Sequence, residues 1–472
     1  MRQRFLFFLL LLLSFSFTSF AAEKDTVPSI LGEHFHFNTR QNPLLPENDK
    51  ALNQIVGARI QLLRVVPPRD DIQRNGPLGF TPSNPESYKP GYTQTFQKFR
   101  SKGLGIGFVM LNQNKACGTD AKAPWLVSAG RHCFNQYAWF VGSFFKPYNL
   151  SYIESWNEPN LKFFWGGTIA DFIAYQNEMI AAFKAGWHSQ NDTAAAKPMP
   201  HFIGPGVSGT LAPNNWLDQF LAAGGANQLD GISFHSYPAK NPSPARRTPE
   251  TGFIDGIFGT KARIKKLNAM NPKLRLTEKK LYITETGYDT FGHSYNEQAK
   301  LLPRLYAMCY YGGVDHCGLY SLMDARNRNN PTADKMYGLF NTTGPNYQKV
   351  LSAKPALQAL GAFNHALYGY SIVRSRLNQT DNIDDHGRLC LSGHCTTRPD
   401  GRFKSDPGYQ KDWALVFHHA GSRRTKVAIW TEEPNTVKVS PDLGKLLQVA
   451  DKRVVQYSDT LQIISVTSQD LP

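Results

Sequence analysis

Two hydrophobic periods alternate along the chain from about residue 30 to about residue 365. Short, nearly continuous apolar runs occur at Gly32–Phe37, Ile60–Val66, Gly105–Leu111, Ser151–Trp156, His201–Gly204, Gly231–His235, Leu281–Thr284 and Gly318–Leu322. Between them, stretches such as Ile169–Ala185, Asn215–Ala223, Ile257–Met270 and Asn296–Tyr310 repeat apolar residues at three- and four-residue spacing. That spacing is the period of a helix with one buried face. Strands buried on both faces and separated by amphipathic helices imply a parallel sheet. Eight such units predict an α/β fold, a (β/α)8 TIM barrel, whose usual size is about 250 residues before insertions. A doubly wound open sheet is the competing arrangement, but it ordinarily carries a Gly-rich phosphate turn after its first strand. Here Gly103-Leu-Gly105-Ile-Gly107 leads into a strand instead of leaving one.

Beyond residue 366 the helical period disappears. Trp413–His418 and Thr425–Trp430 flank the turn-like Ala420–Arg424, and Thr436–Val439, Arg453–Tyr457 and Gln462–Val466 follow at strand length. Closely spaced strands without helices predict a small C-terminal antiparallel β-sandwich over residues 366–472, leaving residues 22–365 to the barrel. At the other end, Arg2 and Arg4 precede the apolar run Phe5–Leu13, and the small residues Ser19 and Ala21 mark an exit. This is the pattern of a secretory signal peptide over residues 1–21. The run is shorter than the roughly 20 apolar residues that cross a bilayer. The expectation is a secreted or periplasmic monomer with no integral membrane segment after signal removal.

Composition narrows the picture. Of 472 residues, 41% are hydrophobic and 12% aromatic, enough apolar surface to exclude a mainly disordered chain. The six cysteines fall into three sequence-local pairs, Cys117 with Cys133, Cys309 with Cys317, and Cys390 with Cys395, which in an export compartment read as disulfides. Cys390, His394 and Cys395 match no common zinc spacing, so no metal site is expected. The formal charge is +15, and subtracting Arg2 and Arg4 leaves +13, which favours anionic partners in general. The densest basic stretch, from Lys261 to Lys280, carries apolar residues at helical spacing. It reads as a surface helix and not as a nucleic-acid groove.

In barrels of this type the reacting groups sit at the C-terminal ends of the strands. Ser151-Tyr-Ile-Glu-Ser-Trp-Asn-Glu158-Pro-Asn160 places Glu158 at the end of the fourth predicted strand, and Leu281-Tyr-Ile-Thr-Glu285 places Glu285 at the end of the seventh. Strand parity puts Trp156 and Glu158 on one face, and Ile283 and Glu285 on one face. Two carboxylates facing one cleft are what glycosidic bond cleavage requires. Glu154 shares the predicted face of Glu158, but four strand residues separate them by ~13 Å. It reads as a hydrogen-bonded interior residue. His34 and His36 share a face of the first strand, with His36 either lining the pocket floor or packed in the core.

Together these strings resemble the retaining (β/α)8-barrel glycoside hydrolases of the cellulase-like superfamily, clan A, and above all glycoside hydrolase family 39 and its relatives. The matching features are Trp156-Asn157-Glu158-Pro159 after strand four, followed by the aromatics Phe163, Phe164 and Trp165; Glu285 after strand seven; Phe234-His-Ser-Tyr-Pro238 after strand six; and the C-terminal sandwich. The resemblance implies a glycosidase that cleaves a poly- or oligosaccharide, anionic if the basic charge faces the cleft, by double displacement and without a cofactor. Glu158 would be the acid and then the base, and Glu285 the nucleophile. Asn157 would bind the sugar hydroxyl beside the anomeric carbon. Arg64 would pair with Glu285. His235 and Tyr237 would orient Glu285 or bind sugar hydroxyls, and Trp165 would either stack on a sugar or pack in its loop. The eighth strand, Cys317-Gly-Leu-Tyr-Ser-Leu-Met-Asp324, lacks the tryptophan many clan members use as a sugar platform, and strand three ends in Leu111-Asn-Gln instead of a histidine. The sugar therefore stays open, as does the alternative of a catalytically inactive carbohydrate-binding protein on the same barrel.

Overall fold

A computed structural model describes residues 31–35, 46–66, 92–111, 128–189, 197–209, 215–238, 248–324, 336–343, 349–373, 388, 396–397, 403–404, 411–419, 421–422, 424–440 and 455–466. Eight parallel strands close into one barrel: β1 (Leu31–Phe35), β2 (Leu62–Val65), β3 (Gly105–Val109), β4 (Leu150–Glu154), β5 (His201–Ser208), β6 (Gly231–His235), β7 (Lys280–Thr286) and β8 (His316–Leu319). Each pairs with the next, and β1 pairs with β8 to complete the ring. Helices α1 (Pro46–Gly57), α2 (Tyr92–Ser101), α3 (Ser128–Phe144), α4 (Ile169–Ser189), α5 (Trp216–Ala222), α6 (Ile254–Met270), α7 (Tyr295–Gly312) and α8 (Pro355–Leu367) accompany the strands. Among the described residues no helix is long and apolar enough to cross a membrane.

Side-chain alternation along the strands divides the barrel core in two. Leu63, Val65, Ile106, Phe108, Ile153, Phe234 and Ile283 belong to the large apolar layer that includes the helix faces. Leu62, Tyr152, Ile203 and Tyr282 form a separate cluster inside the ring. Two residues further along β2, β4 and β7, on the same inward face, stand Arg64, Glu154 and Thr284. The interior is thus apolar toward the strand starts and charged toward their C-terminal ends. Gly107 leaves room for this filling: a Cβ there would lie 2.1 Å from the Tyr152 ring.

After the barrel, β9 (Phe340–Thr343) and β10 (Lys349–Ala353) pair antiparallel. The remaining strands are β11 (Ser371–Ile372), β12 (Thr396–Thr397), β13 (Phe403–Lys404), β14 (Asp412–His419), β15 (Arg424–Thr431), β16 (Val437–Ser440), β17 (Val455–Ser458) and β18 (Gln462–Val466). An antiparallel sheet of order β11-β14-β15-β18 and the pair β16-β17 make up the C-terminal sandwich region. It packs on α7, where Tyr311 meets Trp413 edge-on at 5.5 Å and Tyr310 meets Phe417 at 5.5 Å. One expected disulfide, Cys309–Cys317, ties α7 to β8. Cys133 is disulfide-bonded as well, whereas Cys117, Cys390 and Cys395 lie outside the described residues, as does the predicted signal segment.

Candidate active site

The two acids reach the barrel rim by routes that simple strand parity does not predict. β4 ends at Glu154, so Glu158 is not its last residue but stands four positions beyond. The chain turns there: Glu158 has φ 48°, a left-handed conformation uncommon for a side-chain-bearing residue. Its N–H donates to the Gly206 carbonyl at 2.8 Å. Asn160 fastens the same turn to β5, accepting from Ser208 N at 2.9 Å and donating to Ser208 O at 3.0 Å. Trp156 and Glu158 therefore part company. Trp156 is 1% exposed and packs edge-on against Trp165 and Tyr175, while Glu158 turns to His235.

On β7 a bulge does the re-aiming. Phe234 pairs with Ile283, but the next residue, His235, pairs with Glu285. Thr284 is the extra residue. Ile283 points to the outer apolar layer and Glu285 points inward, so the expectation that they share a face is corrected by this one-residue insertion.

The convergence is tight. Arg64, fully buried, donates from Nη1 to Glu285 Oε1 at 2.6 Å, from Nε to Glu154 Oε2 at 2.7 Å and from Nη2 to Asn157 Oδ1 at 3.0 Å. Tyr237 donates its hydroxyl to Glu285 Oε2 at 3.1 Å. His235 Nδ1 lies 2.9 Å from Glu158 Oε1 and 3.5 Å from Glu285 Oε2. One ligating atom each from Glu158, His235 and Glu285 falls within 4.8 Å of the others, the one cluster with metal-ligand spacing among the described residues. Both Glu285 oxygens accept hydrogen bonds, Oε1 from Arg64 and Oε2 from Tyr237.

Burial and charge compete at each titrating group. Burial disfavours the imidazolium of His235, but Glu285 and the hydrogen-bonded Glu158 outweigh it and hold this histidine above its usual range. Burial, reinforced by the Glu285 charge, pushes the Tyr237 phenol well up. It therefore acts as a hydrogen-bond donor. Desolvation opposes the Arg64 charge, yet Glu154 and Glu285 raise it further above its already high range.

Of the residues singled out from sequence, Glu158, Glu285, Asn157, Arg64, His235 and Tyr237 meet in this constellation. Trp165 does not: it is 2% exposed and enclosed by Trp156, Phe172 and Tyr175. That is loop packing behind the site, which leaves no ring face to stack on a sugar. His36 lies outside the described residues. Two tyrosines were missed. Tyr337 packs edge-on against Tyr237 at 5.6 Å and against Tyr320 at 5.7 Å, forming an aromatic wall beside the Glu285 partner. Tyr320, one residue beyond β8, stood in the expected strand-eight string Cys317–Asp324 and was the available signal. Tyr337 comes from the segment before β9 and had none.

No protein-family model and no curated protein matches the sequence. Solved structures do match the fold. A family 39 glycoside hydrolase from the gut symbiont Bacteroides cellulosilyticus aligns with TM-score 0.66 at 16% identity, covering 93% of this chain and 81% of that one. An α-L-arabinofuranosidase from Thermotoga maritima aligns with TM-score 0.53 at 13% identity, over 87% and 84%. A family 51 arabinofuranosidase from Xanthomonas axonopodis pv. citri gives 0.50 at 11%, over 87% and 83%. At these identities the likeness is one of architecture: the chain has the fold of the clan A barrel glycoside hydrolases.

Proposed function

We propose that this protein is a retaining glycoside hydrolase acting by double displacement, with Glu285 as nucleophile and Glu158 as general acid and then base. The observation that carries the proposal is the meeting of these two carboxylates at one rim of the barrel, with oxygens within 4.8 Å of each other. Retaining pairs stand about 5–5.5 Å apart, whereas inverting pairs leave about 6.5–9.5 Å for a water. The hydrogen bonds divide the roles. Glu285, bonded to Arg64 and Tyr237, is held as a fixed anion aimed at the anomeric carbon. Glu158, on a turn and partly exposed, can reach a leaving-group oxygen. Asn157 gives its oxygen to Arg64, so its amide NH2 faces a sugar hydroxyl. The fold neighbours include family 39 and family 51 enzymes, which supports a carbohydrate substrate for this chain too.

The reading extends to export after cleavage at residue 21 and to an anionic glycan attracted by the formal charge of +13 that remains once Arg2 and Arg4 are removed from +15. The test is an assay of wild type, Glu158→Gln and Glu285→Gln on a panel of neutral and uronic-acid glycans, with the first-formed anomer read by NMR. The expected result is retention of configuration and a loss of about 10²–10⁴-fold in each variant. Inverted product, or full activity in either variant, overturns the proposal.

A further inference from the structure

Arg64 is a fully buried cation with two carboxylates on it, and only one of them takes part in the reaction proposed above. Glu154 is 0% exposed and holds the Nε edge of the guanidinium at 2.7 Å. Its other oxygen accepts from Thr284 Oγ1 at 2.8 Å. Glu285 holds Nη1 at 2.6 Å on the other side. The strand register makes this sharing possible. Arg64 and Glu154 each follow an inward aromatic or aliphatic residue by two positions, Leu62 and Tyr152, and so rise to the same level of the barrel.

We propose that Glu154 is the standing counter-ion of Arg64, a positioning residue that keeps the buried guanidinium compensated when Glu285 loses its charge. The inference rests on the double-displacement reading. In its first half-reaction a Glu285 oxygen bonds to the anomeric carbon. The bond from that carbon to the leaving oxygen breaks, its electron pair goes to that oxygen, and the Glu158 proton joins it. Glu285 passes from anion to neutral ester, and Glu158 passes from neutral acid to anion beside His235. The negative charge therefore leaves Arg64. Were Glu285 its only partner, the covalent intermediate would contain a lone buried cation, among the costliest arrangements a protein interior can hold. With Glu154 in place, the Arg64–Glu154 pair stays neutral through the step. Among the described residues, the charged and titratable groups around it include Tyr152 from β4, Glu158 from the turn after β4, His235 from β6, Tyr237 just beyond β6, and Glu285 from β7. Of these, Glu285 is the carboxylate in direct contact with Arg64 beside Glu154.

The experiment isolates the covalent step. A 2-deoxy-2-fluoro glycosyl fluoride of the sugar identified by the panel traps the Glu285 ester, read by intact-protein mass. Glu154→Gln is expected to slow trapping about 30-fold or more, with the inactivator's binding constant within about twofold of wild type. Glu154→Asp, which restores the charge, should recover most of the rate. In an Arg64→Met background, where there is no cation to compensate, Glu154→Gln should add no further loss. If Glu154→Gln does not fold, Thr284→Val, which only unpins the Glu154 carboxylate, should slow trapping by about three- to tenfold with binding unchanged. Trapping of Glu154→Gln or of Thr284→Val at the wild-type rate overturns the inference, as does a loss that multiplies fully with Arg64→Met. Failure of the underlying reading looks different: no ester forms in wild type, or trapping persists in Glu285→Gln.

Discussion

At Gly206 the backbone takes φ +67°, its carbonyl accepts from Glu158 N at 2.8 Å, and a Cβ would meet Glu154 Oε1 at 2.8 Å and the Trp156 carbonyl at 2.9 Å. One residue thus touches both the acid turn and the Arg64 counter-ion. Gly206→Ala is expected to destabilise the fold by about 1–3 kcal/mol through the disfavoured backbone and the clash. Activity should fall by more than a control variant of equal stability loses, because Glu158 and Glu154 must both shift. Denaturant titration alongside kcat/KM checks this; equal losses in the two would show that Gly206 serves the fold alone. Residue identity was the most legible part of the site. Glu158, Asn157, Glu285, His235 and Tyr237 could be picked out because they stand in short strings after apolar runs. Their directions could not be read, because a left-handed φ at Glu158 and one inserted residue at Thr284 break the two-residue period on which parity depends. Trp165 illustrates the limit from the other side. Sequence places an indole near the acid, and only packing reveals that its faces are already covered.

At the level of elements, helix ends are fixed by local chemistry. Ser294 caps α7, accepting from Glu297 N at 3.1 Å, while the Glu297 side chain returns to Ser294 N at 2.6 Å. This reciprocal pair satisfies two backbone donors of the first turn. Ser294→Ala should cost about 1 kcal/mol, measured as a lower urea midpoint with an unchanged slope. A change below a few tenths would mean that packing of α7 alone sets its start. Strands were legible where their apolar runs were uninterrupted: β6 and β18 occupy the expected residues, and β14 and β15 extend theirs by one residue at each end. The largest displacement of a single strand end is at β5, expected to stop at Gly204 and found to continue to Ser208. Pro205 and Gly206 read as a break because Pro lacks a ladder donor and Gly weakens strands. The sheet instead absorbs them as an irregularity between Pro205 and Val207, which is what delivers Gly206 to the site.

At the level of the molecule, barrel and sandwich meet through a buried charge cluster. Glu250 takes both Nε and Nη2 of Arg304, at 2.8 and 2.7 Å, and its Oε1 also accepts from Trp430 Nε1 at 2.7 Å. Arg304 continues to the Asp459 carbonyl at 3.3 Å, and Lys300 pairs with the Asp459 carboxylate at 2.8 Å. Glu432 completes the cluster, accepting from Trp413 Nε1 at 2.7 Å. Burial pushes its carboxyl up to about 7 and the nearby Glu250 adds to this, while Trp413, Arg304 and Arg388 offset part of it. The consequence for stability has a definite sign. Between the ordinary glutamate range near 4.3 and about 7, the folded chain keeps this proton and the unfolded chain has released it, so this group's contribution is full at low pH and is lost as pH rises toward 7. Glu432→Gln keeps an acceptor for Trp413 and removes the titration. Relative to wild type, the variant should gain roughly 2 kcal/mol of stability on going from pH 5 to pH 8. Denaturant titrations at the two pH values, followed by tryptophan fluorescence, measure that difference directly. Parallel behaviour of the two proteins would mean that Glu432 is already ionised in the folded state, and that the joint between barrel and sandwich carries its charge throughout.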